Sequence, residues 1–522
     1  MVASDPPDEP GRGGSVIPAP VRQRTTEGVC RTGRPWRIRA GDPSLDGTAG
    51  VLAPHLRTGA GADSGEIVLA LDDVPLKPGA IGVQPSADPD ECYRLTVEPD
   101  RITCAARTPQ GAFRAGVTAL HLLAETPETA CRVIDDAPRY AWRGLMIDPA
   151  RHFLALDDLR RLIDLAALYK LNVLHLHLTD NEGWRLHIAT RPALTAGTPH
   201  YTADEYTDLQ EYAAARHVTV VPEIDLPGHS AAALRAYPDL GTLPRPSWYP
   251  VDAPFPAPLD PADPHTRAFI VDVLAETARL TAGAFVHFGG DEALGADEAS
   301  FTEAVRLARE ALRVAGKRPL GWQESSRAGI APGDIAQFWV DVPMMDLPQT
   351  QEELDARPDL LAAGHTLART KALTRFFAPA DGDLDRIVRG GGRVLLSPQS
   401  HLYLDRPYDP AIVPPDQAEE GARLGFAYRP RDVRHAASWD PSSYGVPPEQ
   451  IAGIEATLFA EDFQGFDDHT ALLLPRLPGV AEAAWSPSPP SWEEYRGRLA
   501  RQSVLWRDRG LAALRSTEID WH

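Results

Sequence analysis

Long apolar segments are missing from this chain. No run approaches the roughly 20 residues that a membrane-spanning helix needs. The first residues, MVASDPPDEPGRGG, also lack the basic region followed by an apolar region that marks an export signal. We therefore expect no membrane partner and a cytoplasmic location, with secretion left open.

Cysteine is scarce, and its positions carry little information. The four cysteines are Cys30, Cys92, Cys104 and Cys131, and none of their spacings resembles a zinc ligand pair. Disulfides could form among them in a secreted protein, whereas a cytosolic protein would keep four free thiols. Both states stay open at this point.

Positive charge is also in deficit. The 52 lysines and arginines face 73 aspartates and glutamates, which gives a net charge of -21. A chain with this charge repels phosphate backbones at long range, so we expect no nucleic-acid partner. Hydrophobic residues make up 43% and charged residues 24% of the 522 positions, a composition typical of soluble globular proteins.

The chain divides into three regions. Residues 1–15 are rich in Pro, Gly, Asp and Ser and predict a disordered tail. Residues 16–138 contain the short β-type runs GEIVLAL, YRLTV and RITCAA and the helical pattern GAFRAGVTALHLLAE, which predict a small α+β domain. In residues 139–522 apolar strands alternate with amphipathic helices, which indicates βα units and a parallel sheet.

Eight candidate strands follow one another in the third region. Eight in succession favour a (β/α)8 barrel over an open sheet, and we expect a C-terminal helical extension after it. The candidates are RGLMID, NVLHLHL, VTVVPEI, AFVHFGG, RPLGWQ, IAQFWV, RVLLS and IAGIEATLF.

Polar residues cluster where the first four candidate strands end. Catalytic groups of such a barrel lie at the C-terminal ends of its strands. Many carboxylates on one rim repel one another, which costs stability. A ligand or a reaction that needs them would explain why they are there, so we predict the active site at this rim. The clusters are Asp148 with Arg151, then Asp180, then Glu223 with Asp225 and His229, and then Asp291 with Glu292.

Asp291 and Glu292 suggest a glycosidase, because glycoside hydrolysis commonly uses two carboxyl groups. Neighbouring residues of a regular strand point to opposite faces. Gly289 and Gly290 just before them could bend the backbone enough for both side chains to serve one site. Chain neighbours would still be oddly placed as an acid and a carboxylate nucleophile.

Longer motifs resemble one known family. RGLMIDPARHF, HLHLTDNEGWR, VVPEIDLPGHS and FVHFGGDEA are similar to the motifs of glycoside hydrolase family 20, the β-N-acetylhexosaminidases. LGWQE, QFWV, SPQSHLYLD, ATLFAE and LPRLPGVAEAAW continue the resemblance in order. It begins near Val16, where VIPAP looks like the usual start of the accessory domain, and runs nearly to the C-terminus.

The resemblance implies a retaining exo-enzyme that removes terminal N-acetylglucosamine or N-acetylgalactosamine from a glycan or glycoconjugate, with no cofactor and no metal. The substrate's own acetamide acts as nucleophile and forms an oxazolinium intermediate. By the resemblance, Glu292 is the acid and base, Asp291 accepts the acetamide N–H, and Tyr403 donates to the acetamide oxygen. An ionised Asp291 would raise the pKa of Glu292 and keep it protonated.

The resemblance also implies a pocket closed at one end. Arg151 matches the arginine that holds the 3- and 4-hydroxyls of the sugar, and Asp405 and Glu461 match the carboxylates that hold the 4- and 6-hydroxyls. His229 is expected to contact a carboxylate and to steer Glu292. The predicted substrate-binding residues are Arg151, Trp322, Trp339, Asp405, Tyr428, Phe459 and Glu461, and the predicted supporting residues are Asp180, Glu223 and His229.

Three features depart from the family pattern. Phe459 and Tyr428 stand where the family usually has tryptophan, which indicates either drift or a pocket widened for a modified sugar. Glu182 stands where the family usually has glutamine. Residues 341–380 are longer than the family needs, so this loop either shapes the aglycone site or a subunit contact, or is an exposed insertion.

Two other functions stay open. His175 and His177 form a pair of the kind that metal-dependent hydrolases use on the same barrel. The two replaced tryptophans would also suit a catalytically silent sugar-binding homologue. The sequence does not separate gluco from galacto substrates, and it is compatible with a monomer or a homodimer.

Overall fold

The computed structural model describes residues 15–56, 64–87, 90–124, 127–244, 256–341, 347–362, 364–426, 428–488 and 490–521. The predicted tail lies outside these residues except for Ser15. Ser15 is buried and donates its hydroxyl to the His121 carbonyl at 2.7 Å, so it belongs to the folded part of the chain. Among the described residues, no helix has the length and apolar character needed to cross a membrane.

The predicted α+β domain contains one six-stranded sheet. Its strand order is β1-β6-β4-β5-β3-β2, with β2, β3 and β5 parallel and the other neighbours antiparallel. Buried and exposed residues alternate along most strands, because one face packs on helices and the other faces water. The strands are β1 (Arg22–Cys30), β2 (Trp36–Ala40), β3 (Gly65–Leu71), β4 (Tyr93–Val97), β5 (Arg101–Ala106) and β6 (Thr129–Asp136).

Two helices, α1 (Asp46–Leu52) and α2 (Pro109–Leu123), cover the inner face of this sheet. Thr108 caps α2 by accepting a hydrogen bond from the Gly111 N–H, and Pro109 occupies the first turn, where no N–H is needed. Nearly all of α2 is buried because the sheet lies on one side and the barrel on the other.

The second domain is the predicted barrel, with all eight expected strands. They close in chain order, β7 pairing with both β8 and β14, and every neighbouring pair is parallel. Nearly all strand residues are buried, as expected for parallel strands covered on both faces. The strands are β7 (Arg143–Ile147), β8 (Val173–His177), β9 (Thr219–Glu223), β10 (Phe285–His287), β11 (Arg318–Trp322), β12 (Ile335–Phe338), β13 (Arg393–Leu396) and β14 (Ile451–Leu458).

Helices surround the barrel and continue beyond its last strand. Three of them, α8 to α10, lie in the long segment after β12, and α15 to α18 follow β14. The helices are α3 (Leu156–Leu168), α4 (Ala203–Ala214), α5 (Ala231–Ala236), α6 (Pro264–Leu280), α7 (Glu298–Val314), α8 (Gln351–Asp355), α9 (Pro358–Ala362), α10 (Leu367–Phe377), α11 (Asp383–Arg389), α12 (Gln399–Leu402), α13 (Ala418–Arg423), α14 (Val433–Ala437), α15 (Gly465–Leu473), α16 (Leu477–Trp485), α17 (Trp492–Ala500) and α18 (Gln502–Asp508).

The accessory domain packs against the N-terminal ends of the barrel strands. Val83 enters the apolar layer at that end, and its N–H donates to the Ala452 carbonyl at 2.8 Å. Buried Glu91 accepts hydrogen bonds from Arg143 at 2.6 Å, at the start of β7, and from Arg114 of α2 at 2.8 Å. The opposite end of the barrel, where the strands finish, is therefore left for the functional site.

All four cysteines are free and buried, so the structure carries no disulfide among them. Burial raises the pKa of Cys30 to about 11 and that of Cys92 to about 12, so both remain unreactive thiols.

Candidate active site at the C-terminal end of the barrel

Asp291 and Glu292 follow β10 on a sharp bend. Gly289 has a φ of +75°, and a Cβ there would lie 1.8 Å from Asp225 Oδ1, so only glycine fits. The bend predicted from the glycine pair is present, and it brings both carboxyl groups to one histidine. His229 Nε2 lies 3.3 Å from Glu292 Oε2 and 3.8 Å from Asp291 Oδ2.

His229 connects Glu292 to a buried carboxylate. Its Nδ1 lies 3.1 Å from Asp180, which also lies 2.9 Å from His177 Nε2 and 2.8 Å from Arg151 Nη2. Burial alone would lower the pKa of His229, but the charges of Asp180 and Asp225 and the hydrogen bonds to Asp180 and Glu292 together outweigh it and raise that pKa well above its ordinary value. The charged imidazole therefore presents an N–H toward Glu292, in the position expected from the sequence.

The surroundings of Asp291 oppose its ionisation. Burial, followed by the like charge of Asp225, raises the pKa of Asp291 well above its ordinary value, with His229 opposing. Both effects oppose ionisation of the Asp291 carboxyl in the protein alone, and the ionised Asp291 expected from the sequence stays a prediction. Asp291 Oδ1 is buried and has no hydrogen-bond partner among the described residues, so a donor that reached it would favour the ionised form.

The five aromatic residues predicted for the site form one wall beside this pair. The Tyr403 ring lies 6.1 Å from Trp339, nearly parallel to it at 18°, and 5.4 Å from Phe459 and 6.2 Å from Tyr428. Trp322 packs 6.5 Å from Trp339 and 6.3 Å from Phe459. Burial raises the pKa of Tyr403 well above its ordinary value, so its hydroxyl remains a hydrogen-bond donor.

Glu223, at the end of β9, holds groups from three other strands. It accepts the Trp322 indole N–H at 2.7 Å and lies 2.6 Å from His177 Nδ1, 3.0 Å from His287 Nδ1 and 3.2 Å from His175 Nε2. Hydrogen bonds to a charged group are among the strongest in proteins. The orientation of Trp322 therefore depends on charges inside the barrel.

Three sets of these side chains could hold a metal ion, because their ligand atoms lie within 4.8 Å of one another. A catalytic metal, however, needs a position open to water or substrate. His177 meets carboxylates through both nitrogens, and His175 Nδ1 lies 2.7 Å from Glu455. This arrangement favours buried imidazole–carboxylate packing for the histidine pair. The sets are His175–Glu223–His287, His177–Glu223–Asp225 and Asp180–Asp225–His229.

Gln323 and Glu324 hold the second wall tryptophan, and the sequence did not predict them as site residues. Gln323 Oε1 accepts the backbone N–H groups of Trp339 and Val340, both at 2.8 Å, and Glu324 Oε2 accepts the Trp339 indole N–H at 3.1 Å. Burial raises the pKa of Glu324 to about 8, which favours a neutral carboxyl. Their place in the motif LGWQE, directly after β11, was the signal that could have found them.

Arg151 lies on the rim of the site, as predicted. Its guanidinium is 2.8 Å from Asp180, 3.2 Å from Asp148 and 3.4 Å from Glu182, and it lies 5.4 Å from the centre of the Phe459 ring. Glu182, which departs from the family pattern, therefore contacts the predicted sugar-binding arginine directly.

Asp405 and Glu461 supply two further carboxyl groups. Burial, followed by the charge of Glu461, raises the pKa of Asp405 to about 8. Glu461 is exposed, yet the surrounding protein raises its pKa, with Arg151 opposing and Glu292 adding to the effect. Asp405 Oδ1 has no hydrogen-bond partner among the described residues, and a hydroxyl-rich ligand would supply one.

The long segment at 341–380 supports the wall from outside, although residues 342–346 and 363 lie outside the described part of the chain. Helix α10 ends at Phe377, whose ring lies 5.8 Å from Trp339. Asp341 accepts the Ser400 N–H at 3.0 Å and the Tyr444 hydroxyl at 2.8 Å, which ties the segment to helix α12 just before Tyr403 and to Tyr444. A role at the aglycone site or in a subunit contact stays a prediction.

Comparison with known proteins points to one family for both domains. The model of the glycosyl hydrolase family 20 catalytic domain matches residues 140–488, and that of family 20 domain 2 matches residues 14–137. A β-N-acetylhexosaminidase of Cellulomonas fimi is 35% identical over an alignment of 531 positions, which covers 97% of this chain and 97% of that protein.

Solved structures agree with this match. The N-acetyl-β-hexosaminidase of Streptomyces plicatus, solved with thio-NAglucal, is 30% identical with a TM-score of 0.77, covering 97% of this chain and 98% of that one. A family 20 β-N-acetylhexosaminidase of Streptomyces coelicolor A3(2) is 31% identical with a TM-score of 0.75, covering 97% and 99%. The predicted barrel with an accessory domain is confirmed.

Proposed function

The chain belongs to glycosyl hydrolase family 20, and from that membership we propose that this β-N-acetylhexosaminidase is a retaining exo-enzyme whose nucleophile is the substrate's own acetamide. It removes a terminal N-acetylglucosamine or N-acetylgalactosamine from a β-glycoside. The bond from the anomeric carbon to the leaving oxygen breaks as the acetamide oxygen bonds to that carbon, which gives an oxazolinium intermediate. Water then opens the intermediate with net retention.

Asp291 and Tyr403 hold the acetamide during this attack. The Tyr403 hydroxyl donates to the acetamide oxygen, and the unpaired Asp291 Oδ1 accepts the acetamide N–H. Positive charge develops on the acetamide in the transition state, so an ionised Asp291 is stabilised most at that point. Burial opposes this charge in the protein alone, and the acetamide N–H together with the developing positive charge offsets that cost where it lowers the barrier.

Glu292 moves the proton. It protonates the leaving oxygen in the first step and removes a proton from water in the second, a role that typically contributes about 10² to 10⁴-fold. His229 fixes the position of the Glu292 carboxyl, since it lies between that group and Asp180. The strained φ of +40° at Glu292 fits a residue whose placement serves the reaction.

We expect cleavage only at non-reducing chain ends, because polar residues close one end of the sugar site. Arg151, Asp405 and Glu461 would bind the 3-, 4- and 6-hydroxyls of the sugar and leave no room for a further sugar beyond them. Only a non-reducing chain end would then enter. Release of internal oligomers from chitin would contradict this part of the proposal.

The proposal rests on Asp291 Oδ1, which is buried and has no hydrogen-bond partner among the described residues. It offers an acceptor near Tyr403 and the apolar tryptophan wall, the combination that an N-acetyl group requires. The test is an assay of paired gluco and galacto N-acetyl chromogenic substrates beside analogues with a plain 2-hydroxyl. Intramolecular attack is worth an effective molarity of up to roughly 10⁵ to 10⁸ M, so the hydroxyl analogues should be cleaved far more slowly. Equal cleavage of both sets would reject the mechanism.

The competing function is a silent sugar-binding protein. Phe459 and Tyr428 motivate it, but loss of catalysis would be expected to begin with the acid or its partner, and Asp291, Glu292 and Tyr403 are all present. The same assay separates the two, since a silent protein would bind N-acetylglucosamine without turning over the chromogenic substrate.

A further inference from the structure

Arginines are concentrated on the outer face of the accessory sheet. In the strand register, Asp135 lies opposite both Arg22 and Arg94. Likewise, Glu66 lies opposite both Arg37 and Arg101. Side chains on paired positions share a face. The residues between them, such as Leu95, Ile102 and Ile67, are buried on the inner face. The outer face therefore carries Arg22 and Arg24 of β1, Arg94 of β4, Arg101 of β5, and Arg37 and Arg39 of β2.

The six arginines outnumber the acidic residues that face them across the strands, which are Glu66, Asp135 and, opposite Arg101, Glu98. Glu66 pairs with Arg39 at 3.0 Å and with Arg101 at 3.7 Å, and Asp135 pairs with Arg94 at 2.7 Å. The three remaining side chains are exposed and make no hydrogen bond or ion pair with any described residue. They are Arg22, Arg24 and Arg37. A positive face on a chain of net charge -21 is therefore a local feature that the composition hides.

The arrangement extends across the whole sheet. Arginines occupy both edge strands, β1 and β2, and the two central strands β4 and β5. Neighbouring strands lie about 4.8 Å apart, so five spacings place the two edges about 24 Å apart. This width exceeds a single small anion and suits a chain with repeating negative groups. Guanidinium groups bind carboxylates and sulfates through two parallel hydrogen bonds.

We propose that this arginine face, defined by Arg22, Arg24, Arg37, Arg39, Arg94 and Arg101, binds an acidic polysaccharide whose sugars carry carboxylate or sulfate groups. The choice of a polysaccharide over another polyanion rests on the proposed function, because the barrel acts on sugar chain ends. Binding to the accessory domain would hold such a polymer near the enzyme and raise the local concentration of its ends. The accessory domain contacts the opposite end of the barrel from Asp291, so the face takes no part in the reaction itself.

The test compares three full-length proteins. One is unchanged, one carries Arg22→Gln, Arg24→Gln and Arg37→Gln, and the matched control carries the same change at three exposed arginines of the barrel domain, Arg389, Arg434 and Arg507. The two variants lose the same charge. Binding to chondroitin sulfate, to neutral dextran and to duplex DNA is measured by titration calorimetry at about 50 and 200 mM salt. Turnover of a chromogenic N-acetylglucosaminide is measured beside it.

We expect the unchanged protein and the control to bind chondroitin sulfate equally, with affinity falling roughly tenfold or more between the two salt concentrations. The sheet variant should lose about tenfold or more of the affinity at low salt, and dextran should not bind. The proposal is overturned if the unchanged protein does not bind chondroitin sulfate, if the control loses as much affinity as the sheet variant, or if DNA binds more tightly. Turnover of the chromogenic substrate tests the proposed function independently of polysaccharide binding. It should be equal in all three proteins, because this small substrate does not need the arginine face.

Discussion

Changing Glu91 to Gln tests how the accessory domain is held to the barrel. Glu91 is buried between Arg143 and Arg114 at 2.6 and 2.8 Å. Burial alone would raise its pKa, but the two guanidinium groups outweigh it and lower the pKa from 4.5 to about 2. By linkage this difference corresponds to roughly 3 kcal/mol of stability. Breaking a buried ion pair from one side commonly costs about 3–5 kcal/mol, which agrees in magnitude.

The pH dependence has a definite sign. Because the folded pKa lies below the unfolded one, the stabilisation is fully present above pH 4.5 and is lost as the pH falls toward about 2. Urea unfolding at pH 7 should therefore show a loss of about 3–5 kcal/mol for Glu91→Gln. The difference between variant and unchanged protein should shrink as the pH is lowered through this window. Turnover per folded molecule should not change, since the junction lies at the far end of the barrel from Asp291.

Glu303 provides a matched control. It also contacts two arginines, Arg306 at 2.9 Å and Arg267 at 2.6 Å, and hydrogen bonds from them lower its pKa to about 2. Its side chain is 34% exposed, so solvent screens the pairs and Glu303→Gln should cost less than about 1 kcal/mol. Equal losses in the two variants would refute the reasoning, because burial would then not decide the outcome.

Three further outcomes are expected at the active site. Asp291→Asn should lower kcat by about 10² to 10³-fold with little change in KM, as measured with a chromogenic N-acetylglucosaminide, and unchanged turnover would remove the role given to Asp291. If the smaller Phe459 widens the sugar site, the protein should also cleave a substrate with an N-propionyl group. Phe459→Trp should then lower kcat/KM for the N-propionyl substrate about 10- to 200-fold relative to the N-acetyl substrate. An unchanged ratio of the two kcat/KM values would indicate that Phe459 is neutral drift. Activity should survive dialysis against a chelator, and loss that zinc restores would instead favour a metal site at the His175–Glu223–His287 set.

Local patterns predicted the fold well. The eight barrel strands are short apolar runs separated by helical segments, and such signals lie within a few residues of one another. The bend before Asp291 was also predictable, because Gly289 and Gly290 are adjacent in the chain, but the residue that excludes a side chain at Gly289 is Asp225, which is distant in the sequence. The sequence did not predict that the arginines of the accessory sheet share one face. The strands that carry them are neighbours in the order β1-β6-β4-β5-β3-β2, which does not follow the sequence.

The sequence by itself determined the order of the elements, the barrel and the polar residues at its strand ends, because periodicity and turns are local properties. Only the tertiary structure decided which groups meet: Glu223 with imidazoles from two other strands, Glu324 behind Trp339, and Asp291 beside Asp225. The charge of each carboxyl group depends on these contacts. A carboxyl group is neutral or ionised according to its burial and its neighbours, and residues distant in the chain supply both.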